Sequence, residues 1–266
     1  MEAQTLFRDG KLPEAIEACQ QRLRQQPDDA THRTFLFELL AFAGLWDRAQ
    51  RQLQFLEQHQ PGSEWAAQVY QNLLVAEQLR EQWARTGQTL PGFLLDPPDY
   101  LHRQCDAVRA FGQGDGQRAA ELLAEVTERR PIVQGRFGGE PFQEVRDCDD
   151  LLAPVLELMI LRDYVWLPWE QIRELEVSRP ERPRDLIWAP VRVELIDGSQ
   201  RRGYTPTRYP LSYTSDDIQV KLGRMTDWNE QPGGIVTGLG LKTILLGDRD
   251  ATVLELERVE FVADGV

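Results

Sequence analysis

The sequence predicts an α+β protein: a row of tetratricopeptide-like helical hairpins, then an antiparallel, barrel-like β domain with one or two helices. Three observations predict this. Gly10, Ala15 and Pro27 recur 34 residues later as Gly44, Ala49 and Pro61, and again as Gly114, Ala119 and Pro131. That period and punctuation are those of helical-hairpin repeats, which bury their apolar faces by stacking. Beyond Pro131 the apolar rhythm shortens into alternating runs, and Asp197-Gly198 separates two of them as a hairpin turn would. The division falls at residues 1–135, the repeats, and 136–266, the α+β part.

Each element follows from local chemistry. Helices are expected over about residues 3–8 and 13–26, with Gly10 at the turn. Pro13 is tolerated in a first helical turn, where its missing N–H costs nothing, and Pro27 stops the helix. Leu12, Ala15, Ile16, Cys19 and Leu23 share one face. The second hairpin pairs residues 35–42 with a helix lined by Trp46, Ala49, Leu53 and Leu56. Residues 64–85 read as one long helix with Trp65, Val69, Leu73, Ala76 and Leu79 in a stripe. The Pro/Gly-rich stretch 86–100 cannot be helical throughout, and its Phe93-Leu94-Leu95 is expected to fold back onto the stack. Residues 101–111 open the third hairpin. RPIVQGRFGGEP then reads as a glycine-rich linker that permits motion, with Phe137 and Phe142 as anchors. A helix is expected over 148–162, with Asp149 and Asp150 at its positive end. Strands are expected in IQVKL, GIVTGLGLKTILLG and ATVLELERVEFV.

Composition narrows the function. Forty-three Asp/Glu against 30 Lys/Arg give a net charge of −13. Nucleic-acid phosphates and acidic lipid surfaces both require a basic face, so neither is an expected partner. No run approaches the ~20 apolar residues of a membrane helix, and the first residues lack the pattern of a signal peptide. Three distant cysteines, Cys19, Cys105 and Cys148, suit a reducing cytoplasm.

The second half holds a dense ordered set of motifs: FQEVRDCDDLLAPVLE (142–157), DYVWLPWEQI (163–172), RPRDLIWAPVRVEL (182–195), TRYP (207–210) and LGRMTDW (222–228). In this set the chain resembles the ImpE/SciE/TagJ-type accessory proteins of bacterial type VI secretion systems, over nearly its whole length. It departs from the pattern at Asp163, where Gly is expected, and at Arg208, where Leu is expected. The signature residues Asp147, Asp150, Trp166, Trp169, Asp185, Trp188, Tyr209, Pro210, Arg224, Asp227 and Trp228 carry the resemblance without revealing which touches a partner. The resemblance implies a cytoplasmic, non-enzymatic adaptor with no cofactor. Its implied partners are the small subunit of the contractile sheath and the AAA+ ATPase that disassembles the contracted sheath.

Read as chemistry, the same residues give bland alternatives. Asp147, Asp149 and Asp150 suit a cation site or paired catalytic carboxylates, but also a helix start. Trp166, Trp169, Trp188 and Trp228 suit a sugar-stacking platform, and more often fill a core. Arg184, Asp185, Arg224 and Asp227 read as an ion-pair network. His32, His59 and His102 lack zinc spacing, and no nucleophile elbow occurs. A hydrolase or carbohydrate-binding domain is therefore the second reading, and a general peptide-binding scaffold the third. In the first reading the partner lies in the helical groove, whose wall is assigned to Phe7, Arg8, Arg33, Phe37, Phe42 and Arg109.

Overall fold

The structure is a computed structural model, and it describes residues 2–89 and 91–262. Among the described residues seven helices come first: α1 (Ala3–Arg8), α2 (Leu12–Gln25), α3 (Ala30–Phe42), α4 (Trp46–His59), α5 (Glu64–Thr86), α6 (Asp99–Gly112) and α7 (Gly116–Arg129). The repeat signature is explained residue by residue. Gly10, Gly44 and Gly114 each turn a hairpin with positive φ, at 77°, 68° and 83°, a conformation that costs glycine nothing. Ala15, Ala49 and Ala119 are each 0% exposed, where a larger side chain would push the helices apart. α2, α4 and α7 each end two residues before the repeated proline. α5 is a hairpin's first helix without its second, and the proline-rich loop takes the place of the missing partner.

The second half contains β1 (Gly135–Phe137), β2 (Glu140–Phe142), β3 (Val145–Asp147), β4 (Val155–Ile160), β5 (Asp163–Pro168), β6 (Ile172–Val177), β7 (Trp188–Leu195), β8 (Gln200–Pro206), the one-turn helix α8 (Ile218–Lys221), β9 (Thr226–Gln231), β10 (Ile235–Gly240), β11 (Thr243–Leu246), β12 (Arg249–Thr252) and β13 (Arg258–Phe261). Eight strands form one antiparallel sheet in the order β2-β1-β13-β6-β7-β8-β4-β5, flanked by a three-stranded sheet, β12-β11-β3, and the hairpin β9–β10. The large sheet is open, so the expected closure into a barrel does not occur. The edge of β5 is covered by the chain itself: Gly92 N–H donates to Tyr164 O and Trp166 N–H to Gly92 O.

Four expectations are corrected. Residues 148–162 are a turn followed by β4, not a helix. Pro154 lacks the N–H a helix interior needs, and VLELMI is buried on both faces, a pattern that periodicity alone cannot distinguish from a buried helix. IQVKL is helical: Asp217 caps α8 by accepting from Gln219 N–H. The glycine-rich linker is the β1–β2 hairpin, with Gly138 and Gly139 at φ 60° and 85°. β1 also pairs with β13, so the segment is built into the sheet. Leu94 and Leu95 pack against the core of the sheet, while Phe93 alone packs among the helices.

Two of the three apolar cores among the described residues are shared between the halves. The first joins α1–α5 to Met159, Ile187, Trp188 and Leu222. The third joins α5–α7 to Leu151, Leu152, Trp166 and Tyr209. α5 lies between them and is the helix on which the sheet is seated.

Candidate functional site

Of the residues expected to line a helical groove, Phe7, Phe37 and Phe42 lie in the core shared with the chain's own second half. Phe37 and Phe42 are 0% exposed and Phe7 is 7% exposed. Arg208 lies over the Phe42 ring and donates to the carbonyls of Phe42 and Lys221, the last residues of α3 and α8. Its cation is thus placed at two negative helix ends, though burial pulls its pKa down to about 10. Arg8 contributes its carbonyl to Arg224, which also bonds Phe7 O. Arg33 is held over Phe55 and bonds Gln52 within the helical stack. Arg109 pairs with Asp106 at 2.6 Å.

The four charged residues expected to form an interdomain or internal ion-pair network do not pair with one another, and Arg184 makes its ion pair across the halves. Arg184 crosses to α3 and pairs with Glu38 at 2.8 Å, with Tyr70 Oη also bonded. Asp185 accepts from the backbone of Glu181 and Arg182. Asp227 is exposed. Burial raises Glu38 to about 7, against the pull of Arg184.

The signature carboxylates hold backbone together. Asp150 accepts from Val236 N–H and pairs with Arg146. Asp149 accepts from Leu151 N–H and Gly238 N–H. Burial, then the neighbouring Asp147, raises Asp149 to about 7. Asp147 accepts from Tyr209 Oη–H at 2.8 Å and pairs with Lys242 at 2.8 Å. Lys242 begins a buried chain of charges that sequence reading missed. Its Nζ lies 2.6 Å from Glu157, which takes two bonds from Arg80, which in turn pairs with Glu77 at 2.9 Å. Burial opposes the charge on Glu157, but Arg80 and Lys242 prevail and hold it at about 2. The signal was present: Glu157 interrupts an apolar run, and Glu77 and Arg80 fall among the apolar positions of α5.

Of the four tryptophans, Trp166, Trp169 and Trp188 are buried, donating to Tyr164 Oη, Ala153 O and Glu77 Oε2. Trp228 is 41% exposed on β9 and meets the Tyr209 ring edge-on. Pro210 lies on the loop after β8.

The open surface lies elsewhere. The apolar stripe of α5 is covered by the sheet from Leu73 onward, but Trp65 is 80% exposed. Opposite it, Leu161 is 74% exposed on the two-residue turn between β4 and β5. Between them runs a groove of about 640 Å³ floored by Val69, Leu73, Met159, Pro190 and Tyr204. Arg192 and Arg202, cross-strand partners on β7 and β8, stand on one wall. Arg192 is paired with Glu174 and Glu176. Arg202 is exposed and has no ion pair among the described residues. Leu161 holds a left-handed backbone, φ 55°, where glycine or asparagine would sit without strain. Leu161 is thus both costly to its backbone and exposed to water.

The fold is thus a helical-repeat half packed on an open antiparallel sheet, with an apolar groove beside the start of α5 and the β4–β5 turn. The sequence model of the ImpE protein family matches residues 139–260. The type VI secretion system accessory component TagJ of Pseudomonas aeruginosa is 35% identical over 228 residues, covering 86% of this chain and 81% of that protein. The chain belongs to this family. The crystal structure of protein VPA1032 from Vibrio parahaemolyticus superposes with a TM-score of 0.89 at 25% identity, over 98% of this chain and 97% of that one.

Proposed function

We infer that this protein is a cytoplasmic, non-enzymatic adaptor of a type VI secretion machinery, and that its Trp65–Leu161 groove holds an apolar segment of another component. The strained, exposed Leu161 is the observation that carries this reading. The small sheath subunit is the expected occupant, with the AAA+ disassembly ATPase meeting another face. A segment with apolar anchors and a flanking carboxylate would match the groove floor and Arg202. Supporting the reading are the family relation and the use of Asp150 and Asp185 as backbone acceptors. Burying three or four partner side chains would contribute on the order of 5–10 kcal/mol before association costs, consistent with micromolar affinity. The test is co-purification of the tagged protein with its co-encoded small sheath subunit and ATPase, each expressed singly. Recovery of neither would refute the adaptor role.

A further inference from the structure

The β9–β10 hairpin is a two-stranded sheet of its own, and one of its edges is open. In an antiparallel pair, residues whose N–H and C=O groups face the partner strand alternate with residues whose groups face away. On β10 the residues facing away are Val236, Gly238 and Gly240, and the chain engages each of them. Asp150 Oδ2 accepts from Val236 N–H, Asp149 Oδ2 from Gly238 N–H and Ser212 Oγ from Gly240 N–H. Val236 O and Gly240 O accept in turn from the N–H groups of Asp150 and Tyr209. The cross-strand partners of these three residues are Glu230, Trp228 and Thr226 on β9. Their N–H and C=O groups therefore also face away from the hairpin, and none of them is bonded among the described residues.

Such a row of open donors and acceptors is a template for one more strand. β9 keeps a regular register to β10 over its whole length, without a bulge. It carries no lysine or proline, the residues that most often blunt an edge. Trp228 is set edge-on against Tyr209 yet is 41% exposed, and Met225, one residue before the strand, is 52% exposed. Asp227 and Glu230 are exposed and have no ion pair among the described residues. A helix spends its backbone groups on itself, so the template calls for an extended segment, and the two carboxylates set the charge of that segment. A second copy fits worse, because it sets one acidic strand against another on chains of net charge −13. We propose that β9 pairs with an extended segment of another protein, added antiparallel, in the pattern basic–x–apolar–basic. The apolar residue lies opposite Trp228, and the basic residues lie opposite Glu230 and Asp227. This edge is separate from the Trp65–Leu161 groove, so either reading stands or falls alone.

The probe is the peptide acetyl-Thr-Lys-Thr-Val-Lys-Val-amide, titrated into full-length ¹⁵N-labelled protein. The expected result is a downfield shift of the backbone amide resonances of Thr226, Trp228 and Glu230, saturating with a Kd on the order of 1 mM. The same peptide N-methylated at the valine opposite Trp228 keeps its charge and side chains but loses a ladder donor. It should bind about 10-fold more weakly. The double variant Asp227→Lys, Glu230→Lys changes two exposed side chains and leaves the β9 backbone as it is. It should bind the lysine peptide about 10-fold more weakly and prefer the counterpart with glutamate in place of lysine. Equal binding of the N-methylated peptide would show attraction by charge alone and overturn the proposal. So would shifts that leave the three β9 amides unmoved. A parent protein that dimerises with those amides already protected from exchange would give the edge to a second copy, and would equally overturn it.

Discussion

Leu161 and Glu38 show how single side chains reveal what a site demands. Leu161→Gly removes strain and exposed apolar surface together. Its thermal midpoint is expected to equal or exceed that of the parent, by up to about 1 kcal/mol of stability, so any loss of binding is not a loss of fold. Glu38 gives a pH signature. Its folded pKa is raised to about 7, so its contribution to stability is full below its unfolded value and is lost as pH rises through 7. Asp149, also raised to about 7, acts in the same direction. Glu157, lowered to about 2, contributes above its unfolded value and is lost as pH falls toward 2. From these three groups denaturant midpoints should therefore peak at about pH 4 and decline up to about pH 7. Glu38→Gln should flatten that decline, and an unchanged slope in the variant would contradict the assignment. Sequence reading found neither residue's role: Leu161 looks like any turn residue until its φ is known, and Glu38 is defined by Arg184, 146 residues away.

At the scale of elements, the repeated glycines separate what is shared from what is local. The three hairpins need the same left-handed turn, and this is why Gly10, Gly44 and Gly114 were legible in the sequence. Their surroundings were not. A Cβ on Gly114 meets nothing within 4 Å, whereas one on Gly44 lies 2.4 Å from the Tyr213 ring. Gly114→Ala should cost about 1 kcal/mol, for the backbone alone. Gly44→Ala should cost roughly 2–4 kcal/mol, adding overpacking to it. Equal costs in urea titrations would show that Tyr213 yields freely. The buried chain of charges ties α5 to β3, β4 and the start of β11. Lys242→Met leaves Asp147 without its cation and should cost about 3–5 kcal/mol, with part recovered by adding Asp147→Asn. A neutral effect would mean that the chain is not charged as described. The misread helix over 148–162 has the same origin as the missed chain: β4 is buried on both faces, and only its neighbours in the sheet say so.

For the whole molecule, the division expected at residues 135 and 136 does not divide the apolar core. Phe37, Phe42 and Trp46 share a core with Met159, Ile187, Trp188 and Leu222 of the second half. Residues 1–135 expressed alone should bind hydrophobic dye and lack a sharp near-ultraviolet spectrum, while the full chain unfolds in one transition. A cooperatively folded fragment would show that the halves are separable. The repeat class and the family were legible because they rest on local spacing and ordered motifs. The filled helical groove was not, because the residues that fill it lie more than a hundred positions away. A stripe on α5 was visible, yet only the structure shows that its first turn, at Trp65, outruns the sheet that covers the rest. That turn leaves an apolar side chain in water beside the groove, which is why the adaptor proposal is placed there.

The most direct test of this account is the affinity of the purified protein for the co-encoded small sheath subunit, measured by calorimetry for the parent and for Leu161→Gly. Removing one buried leucine contact should weaken binding about 10- to 100-fold with thermal stability retained. Unchanged affinity in the stably folded variant would place the partner elsewhere and contradict the groove as the binding site.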